Sequence, residues 1–323
     1  SDVYKRQLSL ALTPVSVPMR ICLKKCSQNK SVNLYSTNAN IAILNRKYSF
    51  GIAPPAVNGK PLPPIALKLR KRLKIMNPLI FSPEINHHDA ATIVALDFPS
   101  GEETLHFIRR LSPALCKLKV GNELFTGSGK KLVEALVNQG FQVFLDLKFH
   151  DIPNTVAEAC RNAADMGVWM VNVHASGGRR MLEAAADALA TLNHRPLLIA
   201  VTVLTSLNQE DSEFLFGSPD IENRVLHLSQ LAKEAGLDGV VSSAQEIQVI
   251  KKTCGVDFLT VTPGIRDKQD VKGDQVRTLS AEEALAAGSD YLVIGRPIRS
   301  LLNPLARLEE LYRLQKSIRG QNV

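Results

Sequence analysis

The sequence has few cysteines, and their arrangement suggests neither a metal site nor a disulfide framework. Five occur in 323 residues, with no Cys-x-x-Cys pair and no histidine at ligand spacing. Scattered thiols in odd number are typical of a reducing compartment, so we expect a cytoplasmic protein. Long hydrophobic runs are also lacking: no stretch reaches 18 apolar residues, which argues against a membrane-spanning helix.

Acidic residues are nearly absent from the first quarter of the chain. Residues 1–88 contain fourteen Lys and Arg but only Asp2 and Glu84, whereas the remainder has 25 basic and 29 acidic residues. The overall net charge of +8 therefore belongs to this segment. The mildly acidic remainder gives no support for nucleic-acid binding.

Residues 1–75 show no sustained helical or strand periodicity, and the proline-rich stretch 53–64 interrupts any regular element. Three interpretations compete: an organellar transit peptide, a disordered basic tail, or upstream sequence translated in error with Met76 as the true start. We favour the third. The predicted organisation is an unstructured basic leader (1–75), a lead-in segment (76–91) and a catalytic domain (92–323).

From Thr92 onward, short apolar runs alternate with amphipathic segments, the pattern of repeated βα units around a parallel sheet. Strands that are nearly continuously hydrophobic are buried on both faces. The predicted strands are 92–97, 116–120, 142–148, 168–174, 197–202, 239–242, 258–262 and 291–295. Eight units predict an α/β fold of the (β/α)8 TIM-barrel class. An open, doubly wound sheet is the alternative, but no Gly-x-Gly-x-x-Gly turn follows the first strand.

Two helix starts carry the signature of a capping box, Thr155-x-x-Glu158 and Ser280-x-x-Glu283. Gly140, Gly167 and Gly288 follow apolar helical segments and are expected to end them.

Polar residues collect where the predicted strands end. They are Asp97, Lys119, Asp146, Lys148, His174, Thr202, Ser242 and Thr262. Solvated loops alone could explain any one of them. In a barrel, however, all of these positions converge on one mouth, where barrel enzymes have their active sites.

The most informative segment is Asp-Leu-Lys-Phe-His-Asp, residues 146–151. Asp146 and Lys148 are two apart on a strand, so their side chains leave the same face. Asp151 follows in the turn. A surface ion pair at a strand end is the simpler explanation, but Phe144, Leu145, Leu147 and Phe149 make the surroundings apolar. Buried lysine and aspartate side chains are costly unless they are paired with each other.

This segment matches the Asp-x-Lys-x-x-Asp signature of the orotidine 5′-phosphate decarboxylase family, and other stretches resemble its bacterial, monofunctional members. Those stretches are 94–97, 119–125, 171–178, 201–206, 262–266 and 294–297. The resemblance runs from about residue 92 to 316. It implies a cofactor-free enzyme of pyrimidine biosynthesis that converts orotidine 5′-phosphate to UMP and CO2.

The resemblance also implies the catalytic residues. Lys148 would protonate C6 of the pyrimidine, and Asp146 would lie near the departing carboxylate. Lys119 and Asp151 would complete an alternating Lys-Asp-Lys-Asp arrangement, in which each aspartate keeps a lysine protonated and oriented. Asp151 and Thr155 would reach into the neighbouring subunit's site, which implies a homodimer with shared active sites. Thr155 has a second explanation, as the N-cap of its helix.

Further substrate contacts follow from the same resemblance. Asp97 and Lys119 would bind the ribose hydroxyls, and Thr205 and Ser206 the edge of the pyrimidine. The phosphate would be bound by Arg266, Gln275, Gly295 and Arg296. Apart from the resemblance, His174 is expected to be structural or to support residues that bind the substrate, and Trp169 to belong to the core.

The nearest alternative enzymes are superfamily relatives that act on sugar phosphates, such as keto-gulonate phosphate decarboxylase and hexulose phosphate synthase. They share the Asp-x-Lys-x-x-Asp signature but use Mg²⁺, held partly by an acidic residue at the end of the second strand. That position here is Lys119, whose charge would repel a cation, so no metal is expected. A catalytically silent phosphate-binding barrel is the alternative outside the enzymes.

Overall fold

The computed structural model of the chain describes residues 89–266 and 279–321. Within these residues, eight parallel strands are hydrogen-bonded in chain order, and the last pairs with the first to close a barrel. The strands are β1 (Thr92–Ala95), β2 (Lys117–Gly121), β3 (Val143–Phe149), β4 (Met170–His174), β5 (Leu197–Val201), β6 (Gly239–Val241), β7 (Leu259–Thr262) and β8 (Tyr291–Ile294).

The predicted (β/α)8 barrel is therefore confirmed. Each predicted strand overlaps an observed one, and the boundaries differ by at most two residues. The hydrophobic pattern located the strands because a strand covered by helices outside and side chains inside has no solvent-facing side.

Helices connect the strands and cover the outside of the barrel. They are α1 (Gly101–Ile108), α2 (Asn122–Asn138), α3 (Pro153–Asp165), α4 (Arg179–Ala190), α5 (Gln209–Phe216), α6 (Ile221–Glu234), α7 (Ile247–Cys254), α8 (Ala281–Ala286), α9 (Arg296–Arg299) and α10 (Pro304–Gln321). None of the helices in the described ranges is long and apolar enough to cross a membrane.

One of the two predicted capping boxes is present. At α8, Ser280 accepts from the backbone N–H of Glu283, whose carboxylate accepts from the N–H of Ser280. The box predicted at Thr155 was wrong, because α3 begins at Pro153, with Ile152 as its N-cap residue. Proline fits the first helical turn because backbone N–H groups there have no acceptor within the helix, so proline loses no hydrogen bond. Gly140, Gly167 and Gly288 adopt the positive φ expected just after helices.

The buried apolar residues form two clusters on opposite sides of the sheet. The larger fills the layer between the strands and the helices. The smaller lies inside the barrel and consists of Ile93, Ala95, Phe144, Met170, Ile199, Val261 and Val293. Successive side chains of a strand therefore point alternately into the outer cluster and into the inner one. Above the inner cluster, the same inward-facing positions carry the charged residues of the site.

The leader and most of the lead-in segment, residues 1–88, lie outside the described residues. Their assignment stays a prediction.

Candidate active site

Charged side chains of adjacent strands meet at the carboxyl end of the barrel. Asp97 lies just beyond β1, Lys119 lies on β2, and Asp146 and Lys148 lie on β3. Parallel pairing sets Lys119 opposite Ala95 and Gly121 opposite Asp146. The register of the first three strands therefore gathers these residues at one side of the barrel mouth.

These four residues form a continuous row of opposite charges, hereafter the ion-pair chain. Lys119 Nζ lies 3.4 Å from Asp97 Oδ1 and 3.2 Å from Asp146 Oδ2. Lys148 Nζ lies 2.7 Å from Asp146 Oδ1. Each carboxylate oxygen of Asp146 thus faces a different lysine.

The inner members of the ion-pair chain are largely removed from water. The side chains of Lys119 and Asp146 are 12% and 11% exposed, and that of Lys148 is 29% exposed. An isolated charge at such a position would lose several kcal/mol of hydration, but each of these groups has an opposite charge in contact. Gly121 leaves room for the Lys119 ammonium, since an added Cβ would lie 3.1 Å from Nζ.

The backbone at Lys148 adopts a strained conformation. Its φ is 53°, and it is the only non-glycine residue with positive φ in the described ranges. For a residue with a Cβ, the left-handed region costs about 1–2 kcal/mol. The register of β3 on β4 is interrupted between Leu145 and Phe149, where Lys148 lies. Strain of this kind is found where the position of a side chain matters for function.

Asp151 is not part of the ion-pair chain. Among the described residues it pairs with neither lysine, and its carboxylate accepts from the backbone N–H of Ile152 at 2.6 Å. Asp151 is exposed, and so is the neighbouring Ile152, at 67%.

The residues predicted to bind the phosphate lie at the ends of β7 and β8, which are neighbours in the barrel. Arg266 follows β7 and donates its backbone N–H to the carbonyl of Leu279 at 3.0 Å. Gly295 follows β8, and a Cβ added there would lie 3.3 Å from Asp97 Oδ2. Arg296 is exposed and begins α9. Gln275 lies outside the described residues.

The other predicted contacts are at the barrel mouth or near it. Thr205 and Ser206 lie in the turn after β5, and Thr155 is exposed in the first turn of α3. In the part of the chain that the structure describes, none of the three side chains is hydrogen-bonded to the ion-pair chain. His174 ends β4, and its ring centroid lies 5.4 Å from that of His150. Burial, His150 and Lys148 lower the pKa of His174, which favours its neutral form.

Two residues that contact the ion-pair chain were missed by the sequence analysis. Asn172 of β4 donates to Asp146 Oδ1 at 2.7 Å. Arg299 of α9 donates to the backbone oxygen of Asp97 at 2.5 Å and lies 3.4 Å from its Oδ2. Asn172 could have been found as a polar residue between Val171 and Val173 in a buried strand. No sequence signal pointed to Arg299, because its contact spans 202 positions.

No group of three or more His, Cys, Asp or Glu side chains placed to hold a metal ion occurs in the described ranges.

A closed (β/α)8 barrel with lysines and aspartates paired at the carboxyl ends of its strands defines a barrel enzyme, with its active site at that face. The family is identified by a family model, described as Orotidine 5'-phosphate decarboxylase / HUMPS family, that matches residues 91–311. The chain belongs to this family.

Curated relatives agree with the family match. The chain is 54% identical over 240 residues to the orotidine 5'-phosphate decarboxylase of Neisseria meningitidis serogroup A, covering 74% of this chain and 98% of the relative. It is 57% identical over 233 residues to the enzyme of the same name from Laribacter hongkongensis, covering 72% and 96%.

Solved structures show the same similarity. The orotidine 5'-phosphate decarboxylase of Lactobacillus acidophilus has a TM-score of 0.62 at 35% identity, covering 70% of this chain and 99% of that one. An uncharacterized conserved protein of Geobacillus kaustophilus has a TM-score of 0.60 at 43% identity, covering 69% and 99%.

Proposed function

We propose that the protein decarboxylates orotidine 5′-phosphate to UMP and CO2 in pyrimidine biosynthesis. The observation that carries this proposal is the ion-pair chain, in which Asp146 lies between two lysine ammonium groups at the barrel mouth. The relatives named above at 54% and 57% identity support the same reaction.

The chemistry requires stabilisation of negative charge at a carbon atom. The bond from C6 of the pyrimidine to the carboxylate breaks, CO2 leaves, and the electron pair stays at C6. Positive charge that is already in place stabilises this state without reorganisation of solvent. The Lys148 ammonium supplies that charge and then a proton to C6, which gives UMP. Solvent returns the proton to Lys148.

Asp146 and Lys119 prepare Lys148 for this role. Asp146 Oδ1 accepts from Lys148 at 2.7 Å, which favours the protonated lysine and fixes its direction. Lys119 neutralises the other oxygen of Asp146 at 3.2 Å. Asp97 and Lys119 are assigned to the ribose hydroxyls; Asp97 lies 3.4 Å from Lys119, at the outer end of the ion-pair chain, which supports this assignment.

Recognition of the phosphate is assigned to Arg266, Gln275, Gly295 and Arg296. The arginines can donate paired hydrogen bonds to a phosphodianion, and Gly295 allows a ligand to approach the backbone. Thr205 and Ser206 are assigned to the edge of the pyrimidine. The family match over residues 91–311 supports a catalytic domain over 92–323.

Turnover can be observed directly, because orotidine 5′-phosphate loses its characteristic ultraviolet absorbance on conversion to UMP. We expect this loss with the purified full chain, together with release of CO2. A folded protein that leaves the absorbance unchanged would refute the proposed function.

The reaction is proposed to need no cofactor or metal. In the metal-using relatives an acidic residue occupies the end of the second strand, and here Lys119 places an ammonium there, 3.2 Å from Asp146. A cation would be repelled at this position. Turnover should be unchanged after dialysis against EDTA, and a loss that Mg²⁺ restores would favour the sugar-phosphate relatives instead.

The active unit is proposed to be a cytoplasmic homodimer in which Asp151 and Thr155 act in the partner's site. Two observations support this: Asp151 is exposed, and the exposed apolar side chain of Ile152 adjoins it. No nucleic-acid or membrane partner is proposed.

Mixed dimers test the shared site. Lys148→Ala and Asp151→Ala homodimers should both be inactive. In an equal mixture of the two variants, about half of the dimers are heterodimers, and one of the two sites in each heterodimer is intact. The mixture should therefore regain up to about a quarter of the wild-type activity. Native mass spectrometry confirms the heterodimers. Confirmed heterodimers without activity would contradict a site shared between subunits.

A further inference from the structure

The side chain of Asn172 connects the two parts of β3 on which the proposed reaction depends. Its Oδ1 accepts from the backbone N–H of Lys148 at 2.8 Å, and its Nδ2 donates to Asp146 Oδ1 at 2.7 Å. One amide therefore contacts both the backbone of the proposed proton donor and the carboxylate that orients its ammonium.

The position of Asn172 gives this amide little freedom to move. Asn172 is fully buried in β4, between Val171 and Val173, which are also fully buried. A buried amide that lost these bonds would have no water to replace them. Its orientation is also fixed, since a reversed amide would direct its NH2 group at an N–H donor and its oxygen at a carboxylate.

The contact to the backbone explains how β3 tolerates its irregularity. Between Leu145 and Phe149 the register with β4 is interrupted, and Lys148 has a φ of 53°. At this interruption the side chain of Asn172, rather than a strand carbonyl, accepts from the Lys148 N–H. The surrounding structure must hold such a conformation, because the backbone alone disfavours it.

The contact to Asp146 is made at the oxygen that also faces Lys148. Asp146 Oδ1 thus receives the lysine and the amide, while Oδ2 faces Lys119. With its two oxygens held from different directions, the carboxylate cannot rotate without breaking one of these contacts.

We propose that Asn172 is a positioning residue that keeps the Lys148 ammonium directed at the reacting carbon by holding both the strained Lys148 backbone and the Asp146 carboxylate. This inference rests on the proposed decarboxylase function. Asn172 acts through Lys148 and Asp146 and not by touching substrate.

Asn172→Ala removes both contacts, whereas the isosteric Asn172→Asp keeps an acceptor for the Lys148 N–H but places a second carboxylate against Asp146. Because a misplacement of about 1 Å can cost ~10²-fold in rate, we expect kcat to fall about 100-fold in both variants. The Kd for UMP, measured by calorimetry, should stay within about threefold of the wild type, because uniform binding is retained.

Ser229→Ala is the matched control for the loss of a buried polar contact. Ser229 is fully buried in α6 and donates to the carbonyl of Val225 in the same helix, at 2.8 Å. We expect it to lower the melting temperature and leave kcat unchanged. An Asn172 variant that stays folded with wild-type kcat would overturn the proposal, as would equal losses in kcat and UMP affinity. If Asn172→Ala does not fold, Asn172→Asp decides alone.

Crystal structures separate this proposal from the proposed function. In Asn172→Ala, Lys148 should return to negative φ, or its Nζ should move away from Asp146. Retention of both features would overturn the positioning role, even if the wild type proves inactive on orotidine 5′-phosphate. Inactivity of the wild type would count against the proposed function alone.

Discussion

At the scale of single residues, Lys148 combines chemical and conformational demands. Its ammonium is held at 2.7 Å by Asp146, and its backbone lies in a region that glycine adopts far more readily. A residue selected for stability alone would be glycine. Under the proposed function, lysine at this position exchanges some stability for its role as proton donor, as strained residues at active sites commonly do.

Two substitutions at Lys148 separate these demands. Lys148→Ala and Lys148→Gly both remove the ammonium, and turnover should fall by at least about 10³-fold in each. Lys148→Gly should nevertheless be more stable than Lys148→Ala by roughly 1 kcal/mol, because only glycine relieves the positive φ. Chemical denaturation measures the difference. Equal stabilities of the two variants would show that the positive φ at residue 148 has no free-energy cost. Substantial residual kcat in either variant would show that Lys148 is not the proton donor.

The barrel prediction placed Lys119, Asp146 and Lys148 at one mouth, because parallel strands bring their carboxyl ends together. That these three residues form one charge network was implied by the family resemblance. The sequence could not predict which oxygen of Asp146 meets which lysine. It also could not predict the positive φ of Lys148, since the strain depends on how β3 is paired with β4.

At the scale of the elements, the barrel depends on close approach between strands. Gly239 begins β6 and is paired with Leu259 of β7. A Cβ added at Gly239 would lie 2.2 Å from the Leu259 carbonyl oxygen and 2.6 Å from its Cβ. Because the nearest atom belongs to the backbone, side-chain rotation cannot relieve this clash.

Gly239→Ala should therefore lower the free energy of unfolding by about 1–3 kcal/mol, the range typical of overpacking. Gly320→Ala is the control. Gly320 lies in α10, and an added Cβ there would have no neighbouring atom within 4 Å, so we expect no loss of stability and a gain of at most about 1 kcal/mol from the higher helix propensity of alanine. Thermal unfolding followed by circular dichroism compares the two. A Gly239→Ala protein as stable as the wild type would contradict the close approach of β7 to β6.

Element boundaries were predicted unevenly. The box at Ser280 was found because its residues interact within one turn, which a local pattern can report. The start of α3 was misplaced by reading Thr155 as a cap, although Pro153 already suits the first turn. Pro153 and Thr155 are both compatible with a helix start. The path of the backbone between Lys148 and Pro153 determines that the helix begins at Pro153.

At the scale of the whole molecule, the opposite end of the barrel also contains a buried lysine. Lys117 is 2% exposed, donates to the carbonyl of Ala90 at 2.7 Å, and lies 5.0 Å and 5.4 Å from the ring centroids of Trp169 and Tyr291. Burial lowers its pKa from 10.5 to about 8, with Arg319 adding to this effect and Cys116 and Asp89 opposing it.

This lowered pKa predicts a dependence of stability on pH. Between pH 8 and 10.5 the unfolded chain retains a proton on Lys117 that the folded protein has released, so stability rises with pH across this window. The Lys117→Met variant serves as the reference, because the effects of the other titrating groups cancel in the comparison. Between pH 7.5 and 10, the free energy of unfolding of the wild type should rise by roughly 1–3 kcal/mol relative to this variant. Urea denaturation at several pH values measures the gain. A difference that does not vary with pH would show that the pKa of Lys117 is not lowered.

The order and hydrophobicity of the segments determined eight βα units around a parallel sheet, because a strand buried on both faces leaves a recognisable local pattern. The Asp-x-Lys-x-x-Asp motif likewise placed the charged residues of β3. Closure of that sheet into a barrel is a tertiary feature, made by the pairing of β8 with β1. Only the tertiary structure decided that Asn172 and Arg299 contact them, since those contacts join residues 26 and 202 positions apart. Such contacts depend on strand register and on the curvature of the closed barrel, which no local pattern encodes.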